Sequence, residues 1–345
     1  MTVALSELEA DILKSIVVAS ENDPAKPEFP PGNPKFPATP TYKIKVPWFS
    51  NVWVKDESYN PTGTHKDRMA WEIVVTYSKY LQAKRRGKLK GSLPQMSIIS
   101  SGTAAVAVQS MLRKYKLPNL KVLVDFNVNP KIIAGLEKIG CEVYLADLSR
   151  AALSWSEILA LTHNTEGVDI TSDEALGPTT RFYDWLSYEI INSSPDYCFI
   201  PFGSGQLFEN IVNINAIEIS ATKHDPRFSG DVKTLRQCNF MGATTNYAKS
   251  KADKLYSHHL PFAHFNEQWI RNYRIAQSCG PESDVYVVKE QFLTEAMRLA
   301  RTQKMKAEPS GLAGLALLLQ MADQVPKNAK ILIVNTGRTK LPRFH

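Results

Sequence analysis

Residues 51 to 81 carry the pattern that decides the fold: Asn51-Val-Trp-Val-Lys-Asp56, then Asn60-Pro-Thr-Gly-Thr64, then a run ending at Leu81. The first stretch has three consecutive apolar residues between polar ones, which predicts a short strand. Proline and glycine in the second stretch predict a tight turn. Apolar residues in the third stretch recur every three or four positions, as on one face of a helix. The segment therefore predicts a strand, a tight loop and a helix.

The same order of strand, turn and helix recurs along the chain. Met96-Ser-Ile-Ile-Ser100 precedes Ser101-Gly-Thr-Ala-Ala105 and another helical run. Strands that alternate with helices are typical of mainly parallel sheets with helices on both faces. We therefore predict an α/β fold with two doubly wound domains. Further strands are predicted at 120–126, 142–146, 197–201, 238–242, 284–288 and 330–335, and helices at 132–139, 153–166, 183–192, 207–217, 290–302 and 310–322.

The remaining segments are less regular. Residues 5–20 predict a helix, and residues 24–47 contain eight prolines, which predict an extended arm on the surface. Residues 172–181 read as a loop, and residues 222–282 are polar and aromatic with weak periodicity. A boundary near residue 165 divides the chain into a smaller N-terminal α/β domain, 41–165, and a larger one, 1–40 with 166–345.

The composition is that of a globular protein. Of 345 residues, 43% are apolar and 22% charged, which excludes collagen, coiled coils and wholesale disorder. No apolar run is long enough to span a membrane, and the first residues lack a basic signal-peptide region, so no membrane partner is predicted. The formal charge is +7, but the dense basic run at 84–90 suits the end of a helix better than a nucleic-acid surface. Four widely spaced cysteines favour reduced thiols and a cytoplasmic location.

Two sequence elements are candidates for chemistry. Lys66 follows the turn and begins a helix, where the helix dipole favours the neutral amine that attacks carbonyl groups. The alternative is an ordinary surface lysine. Gly203-Ser-Gly-Gln-Leu207, between a strand and a helix, has the glycines of a phosphate-binding nest, and a plain turn is its alternative. It matches neither the P-loop nor the dinucleotide fingerprint.

Two further elements follow predicted strands. Ser100-Ser-Gly-Thr103 opens a helix with hydroxyl and N–H groups that suit a carboxylate, and a simple N-cap cluster is the alternative. Thr336 follows the last strand, at the edge where doubly wound proteins bind ligands, with a loop threonine as the alternative. A reactive lysine, a phosphate nest, a carboxylate-binding helix start and this hydroxyl are together the parts that a pyridoxal phosphate enzyme needs.

The order and the residues of these motifs resemble those of the tryptophan synthase β superfamily, the fold type II pyridoxal phosphate enzymes, over most of the chain. Val54-Lys-Asp-Glu-Ser58 and Asn60-Pro-Thr-Gly-Thr-His-Lys-Asp-Arg68 are similar to the stretch that carries the Schiff-base lysine, which falls on Lys66. Pro201-Phe-Gly-Ser-Gly-Gln-Leu-Phe208 is similar to the family's phosphate loop. Two shorter matches are Glu308-Pro-Ser-Gly311 and Thr336-Gly337, the second of which resembles the site whose hydroxyl meets the pyridine nitrogen.

The resemblance implies pyridoxal 5'-phosphate as the cofactor, an amino acid as the substrate, Lys66 as the catalytic residue and a homodimer. It places Lys66 and the substrate loop on the smaller domain and the phosphate loop on the larger one. The implied cofactor contacts are Lys66, Thr103, Gly203, Ser204, Gly205, Gln206, Leu207 and Thr336. The implied contacts of the substrate carboxylate are Ser100, Ser101, Gly102 and Thr103.

The chain departs from the family where a Ser-Gly-Asn-Thr loop is usual. Here Gly102 is followed by Thr103 and Ala104, so that either Thr103 substitutes for the asparagine or the asparagine is deleted. His65 stands where several branches have Phe or Ile, and either contacts the cofactor or packs at the helix start. No metal site is predicted, because clustered histidines at 258, 259 and 264 lack acidic or cysteine partners at helpful spacing.

The resemblance implies elimination or replacement at Cβ or Cγ, as in threonine synthase or cysteine synthase. A neutral hydroxyl such as that of Thr336 stabilises a protonated pyridine less than an aspartate would, which makes racemisation and transamination less favoured. The rival hypothesis is a diverged pyridoxal phosphate-binding protein with little or no catalytic activity, suggested by Thr103-Ala104.

Overall fold

In the computed structural model, the described residues are 36–88, 90–100, 102–149, 153–170, 182–220, 237–256, 274 and 278–339. Their strands are β1 (Thr41–Val46), β2 (Phe49–Asp56), β3 (Met96–Ile99), β4 (Lys121–Asp125), β5 (Glu142–Ala146), β6 (Val168–Asp169), β7 (Tyr197–Pro201), β8 (Asn239–Thr244), β9 (Asp284–Val287) and β10 (Ile331–Asn335). Their α-helices are α1 (Lys66–Arg85), α2 (Thr103–Lys114), α3 (Pro130–Lys138), α4 (Trp155–Leu161), α5 (Asp184–Asn192), α6 (Gln206–Ser220), α7 (Glu290–Thr302) and α8 (Ala313–Gln320).

The strands form two sheets. The larger has the order β1-β2-β10-β7-β8-β9, and all neighbours are parallel except the β1–β2 hairpin. The smaller has the order β5-β4-β3-β6 and is wholly parallel. Because parallel strands end at the same edge, the loops after β2, β10 and β7 lie side by side at the carboxyl edge of the larger sheet.

Helices cover both faces of the larger sheet. Neighbouring residues of β10 show the alternation, since Leu332 and Val334 pack with α1, α5 and α6, whereas Ile331 and Ile333 pack with α7 and α8. The smaller sheet is enclosed in the same way, by α2 and α3 on one face and α4 on the other. Such strands are buried on both faces, which is why they read as continuous apolar runs. The predicted α/β fold with doubly wound, mainly parallel sheets is confirmed.

Some local predictions need correction. β1 lies within the proline-rich arm, where its position at the sheet edge tolerates flanking prolines. The two-residue β6 was not predicted, and the helix expected over 153–166 is limited to α4. The helix expected from Ser310 begins with a 3-10 turn at Pro309–Leu312. The predicted helix at 5–20, the loop at 172–181 and much of 222–282 lie outside the described residues.

Sheet membership differs from the predicted domain division. Strands β1 and β2 fall in the predicted smaller domain but pair in the larger sheet, and β6, beyond residue 165, pairs in the smaller sheet. The division into domains therefore stays a prediction. None of the described helices is both long and apolar enough to cross a membrane. All four cysteines are buried free thiols.

Candidate active site

Lys66 lies at the first position of α1, directly after a loop that its own hydrogen bonds hold in place. The side chain of Asn60 donates to the Thr64 carbonyl at 3.0 Å and to Glu57 Oε2 at 2.8 Å. Asp67 accepts two hydrogen bonds from Thr62, from its backbone N–H and its hydroxyl, each at 2.9 Å. We call residues 57–66 the lysine loop. Its conformation fixes where α1 begins, and therefore where the Lys66 side chain starts.

A buried charge network lies behind the lysine loop. Arg68 makes two-pronged contacts with Glu57, at 2.7 and 2.9 Å, and with Glu189 of α5, at 2.7 and 3.0 Å. Lys55 of β2 also pairs with Glu189. Glu57 is fully buried and Arg68 is 1% exposed. The network joins β2, α1 and α5, because each carboxylate needs an adjacent cation where water is excluded.

The segment after β10 packs directly against the lysine loop. Thr64 forms an isolated β-bridge with Gly337, and the Thr336 carbonyl accepts from the His65 N–H at 3.2 Å. Gly337 has φ +93°, and a Cβ there would overlap the Gly63 carbonyl. Only glycine allows this close approach of the two backbones. The structure therefore places Thr336 next to the residue before Lys66.

The amine of Lys66 is held by an aromatic side chain that the sequence analysis did not identify. Lys66 Nζ lies 2.8 Å from the hydroxyl of Tyr183, which is 1% exposed. The ring of His65 packs against Tyr183 with 5.4 Å between ring centroids. Tyr183 directly precedes α5, 117 residues from Lys66 in sequence, and no local pattern marks it.

The proposed phosphate loop, residues 203–207, connects β7 to α6. Gly205 has φ +84°, and a Cβ there would lie 2.9 Å from Phe202 Cζ, so the turn requires glycine. The loop presents the first N–H groups of a 15-residue helix, a place that favours anions. Gly203, Ser204, Gly205 and Gln206 are at least partly exposed, whereas the Leu207 side chain is buried, so Leu207 offers only its backbone.

The proposed carboxylate loop, residues 100–103, connects β3 to α2. Ser100 Oγ accepts from the N–H groups of Gly102 and Ala105, at 3.2 and 3.3 Å. Gly102 has φ +141°. The Thr103 hydroxyl lies 3.0 Å from that of Thr339, which joins the loop to the segment after β10. Ser101 lies outside the described residues.

Burial and neighbouring charges shift the pKa of three groups around Lys66. For Glu57, burial alone would raise the pKa, but the charge and hydrogen bonds of Arg68 outweigh it and hold the pKa at about 2. For Asp67, burial raises the pKa to about 6, although the Thr62 hydrogen bonds oppose the rise. For His65, burial and then the Lys66 charge lower the pKa to about 3. His65 is therefore a neutral imidazole at pH 7.

The residues at this edge suit a phosphorylated aldehyde such as pyridoxal phosphate. A primary amine lies near the carboxyl edge of the sheet, and a helix N-terminus suited to a phosphate follows a strand of the same edge. His65 Nδ1 is buried and lacks a hydrogen-bond partner in the described part of the chain, which leaves a polar atom beside Lys66 for a bound group. This edge thus offers a nucleophilic amine, an anion-binding helix start and a neutral imidazole ring.

The sequence profile of the pyridoxal-phosphate dependent enzymes matches residues 36–337. The chain belongs to this family. The resemblance to the fold type II enzymes is thereby confirmed, and with it the fold class. Family membership implies that pyridoxal phosphate binds, while the role of each residue described above stays a prediction.

Curated relatives are distant. Cysteine synthase B of Salmonella typhimurium is 28% identical over 120 residues, which are 34% of this chain and 37% of that protein. The chain thus aligns with little more than a third of that cysteine synthase. Threonine synthase of Synechocystis sp. is 24% identical over 316 residues, covering 89% of this chain and 76% of that protein. Among solved structures, O-ureido-L-serine synthase has a TM-score of 0.60 at 16% identity, covering 88% of this chain and 89% of that one, which shows a shared fold.

Proposed function

We propose that this protein is a pyridoxal phosphate-dependent enzyme that acts on an amino acid by elimination or replacement at Cβ or Cγ. The observation that carries the proposal is the position of the Lys66 amine. It lies at the edge where the loops after β2, β10 and β7 meet, 2.8 Å from a buried tyrosine that precedes α5. The cysteine and threonine synthases among its relatives support this reaction class.

Named residues would hold the cofactor. Lys66 would bind it covalently, the backbone of residues 203–207 would take its phosphate, and Thr336 would face its ring nitrogen. Bound pyridoxal phosphate withdraws electrons from the bonds at the α-carbon of an amino acid. Because His65 is neutral, no second cation stands directly before Lys66 at neutral pH.

Groups of the protein itself would then bind the substrate carboxylate and remove one proton from the substrate. The helix start at Gly102 and Thr103 would bind the substrate carboxylate, with Ser100 keeping the loop in shape through its two N–H contacts. The free amine of Lys66 would remove the proton from the α-carbon, because it is the amine at the reacting centre. Closure of the predicted smaller domain, which carries the carboxylate loop, would exclude water from this step.

A spectroscopic titration tests the proposal. Wild type and Lys66→Ala are loaded with pyridoxal phosphate and dialysed, and their visible spectra are recorded as serine, O-acetylserine or O-phosphohomoserine is added. We expect wild type to keep a coloured cofactor that responds to at least one of them, and Lys66→Ala to lose the colour on dialysis. A wild type that retains no cofactor would contradict the proposal.

A second candidate is a diverged binding protein that retains the cofactor with little or no activity. The observation that favours it is the Thr103 hydroxyl, which lies 3.0 Å from Thr339 at the loop where the family usually has an asparagine. Coloured wild-type protein that responds to none of the amino acids would favour this candidate. A homodimer and a cytoplasmic location also stay predictions.

A further inference from the structure

The side chain of Tyr183 contacts the amine of Lys66. Its hydroxyl meets Lys66 Nζ at 2.8 Å, and the amine lies 5.4 Å from the centre of its ring. The tyrosine is 1% exposed and Lys66 is partly exposed, so this hydrogen bond is partly shielded from water. A polar contact in such surroundings is stronger than the same contact at a surface.

The backbone of Tyr183 is tied to the helix that follows the phosphate loop. Its N–H donates to Asn210 Oδ1 of α6 at 2.7 Å, and Asn210 Nδ2 donates in turn to Asp184 Oδ1 at 2.9 Å. Asn210 is five residues after Gly205, at the second turn of α6. The phenol is therefore fixed with respect to the loop proposed to bind phosphate.

A second attachment fixes the same tyrosine from the other side. Tyr183 directly precedes α5, whose Glu189 pairs with Arg68 on α1, one turn or less from Lys66. The His65 ring packs on the phenol and restricts its rotation. Two independent connections, one to α6 and one to α1, thus leave the hydroxyl little freedom to move away from the amine.

We propose that Tyr183 is a positioning residue for Lys66: its hydroxyl holds the side-chain amine whenever that amine carries no covalent partner. This rests on the proposed function, in which Lys66 alternates between a bound and a free amine. A lysine has four rotatable side-chain bonds, and a free amine without a partner would lose its direction toward the reacting centre. The phenol gives it one resting place at a fixed distance from the phosphate loop.

The test uses the cofactor-free protein and measures acetylation of Lys66 by acetic anhydride, relative to exposed Lys43, by peptide mass spectrometry. A hydrogen bond protects the amine whether the amine or the phenol donates. We therefore expect Tyr183→Phe to raise the relative rate about five-fold, the factor that one ordinary hydrogen bond is worth. Tyr77→Phe is the matched control, since it also removes a buried hydroxyl, one that donates to the Pro94 carbonyl, and should leave the rate unchanged.

An unchanged or lower rate in Tyr183→Phe would overturn the proposal. So would an equal rise in Tyr77→Phe, because that would reflect general loosening. Should Tyr183→Phe fail to fold, Tyr183→Leu serves in the same assay, with circular dichroism as the check on folding.

A spectroscopic readout separates positioning from packing. On mixing cofactor-free protein with saturating pyridoxal phosphate, colour forms as Lys66 Nζ bonds to the cofactor, so an amine held in one direction should react faster than a mobile one. We expect Tyr183→Phe to slow this colour formation about five-fold and Tyr77→Phe to leave it unchanged. An unchanged rate in Tyr183→Phe would contradict positioning by the phenol. If wild type takes up no pyridoxal phosphate, the proposed function fails, and the acetylation rates alone decide the role of Tyr183.

Discussion

The lysine loop and the carboxylate loop are built very differently. Behind the lysine loop, Arg68 makes four hydrogen bonds to two carboxylates and is 1% exposed. The carboxylate loop is held by two side-chain contacts of Ser100 and one of Thr103, each of which involves at least one partly exposed residue. Rigid support thus belongs to the residue proposed to anchor the cofactor, and the weaker support to the loop proposed to bind the substrate carboxylate.

Arg68→Met should give the largest effect, because it removes the cation that hydrogen-bonds to the buried Glu57. We expect a loss of about 3 to 5 kcal/mol in the free energy of unfolding, measured by urea denaturation at pH 7. Lys254→Met removes a partly exposed ion pair with Glu308 and should cost less than about 1 kcal/mol. Equal losses in the two variants would remove the basis for calling the lysine loop strongly supported.

Gly337→Ala should disturb the lysine loop through the segment after β10, which packs against it. A methyl group at this position would overlap the Gly63 carbonyl, and φ +93° is unfavourable for alanine, so we expect a loss of about 3 kcal/mol. Gly135→Ala in α3, with no atom within 4 Å of the added Cβ, should instead gain up to about 1 kcal/mol. Thermal unfolding of both variants measures this contrast, and a neutral Gly337→Ala would contradict the close approach.

Two buried acids near Lys66, Glu57 and Asp67, should affect the pH dependence of stability in opposite directions. Glu57, with its pKa lowered to about 2, contributes stability that is present above its ordinary value of 4.5 and lost as pH falls through 2. Asp67, with its pKa raised from 3.8 to about 6, contributes stability that is present below 3.8 and lost as pH rises through 6.

For Asp67 the loss between pH 4 and pH 7.5 should be about 2 to 3 kcal/mol. Asp67→Asn, which cannot ionise, should lack this part of the pH dependence in urea denaturation at the two pH values. Glu137→Gln, at an exposed position in α3, is the control and should keep the wild-type dependence. Identical profiles for Asp67→Asn and wild type would show that Asp67 ionises normally.

Ser100→Ala tests the carboxylate loop and should cost less stability than the variants that disturb the lysine loop. It removes the acceptor for two N–H groups at the start of α2, which costs about 1 kcal/mol. Its effect on the response of the cofactor spectrum to amino acids should be larger than its effect on unfolding. A loss of stability as large as that of Arg68→Met would contradict the contrast between the loops.

Local patterns were sufficient to predict most of the fold. Short apolar runs located β2 and β4, and helical spacing located α1 and α7, because each of these elements buries apolar side chains. Strand β1 was missed, since an edge strand flanked by prolines lacks the apolar run of a central strand. The sheet order was not predicted either, because β10 joins β2 across almost the entire length of the chain.

The site was predictable only where a motif is contiguous. Lys66 and residues 203–207 each follow a strand and begin a helix, which the sequence displays directly. Tyr183 and Glu189 act through α5, whose docking on α1 depends on tertiary packing across more than a hundred residues. An acidic residue within a helix and a tyrosine before it are ordinary in sequence, and only their buried partners give them a role.

The most direct test of this account is a peptide map of the protein after loading with pyridoxal phosphate and reduction with borohydride, which fixes the cofactor to the amine that holds it. The account predicts that the reduced pyridoxyl group is found on Lys66, in the peptide that contains Asn60-Pro-Thr-Gly-Thr-His-Lys66. A group found on another lysine, or on none, would contradict it.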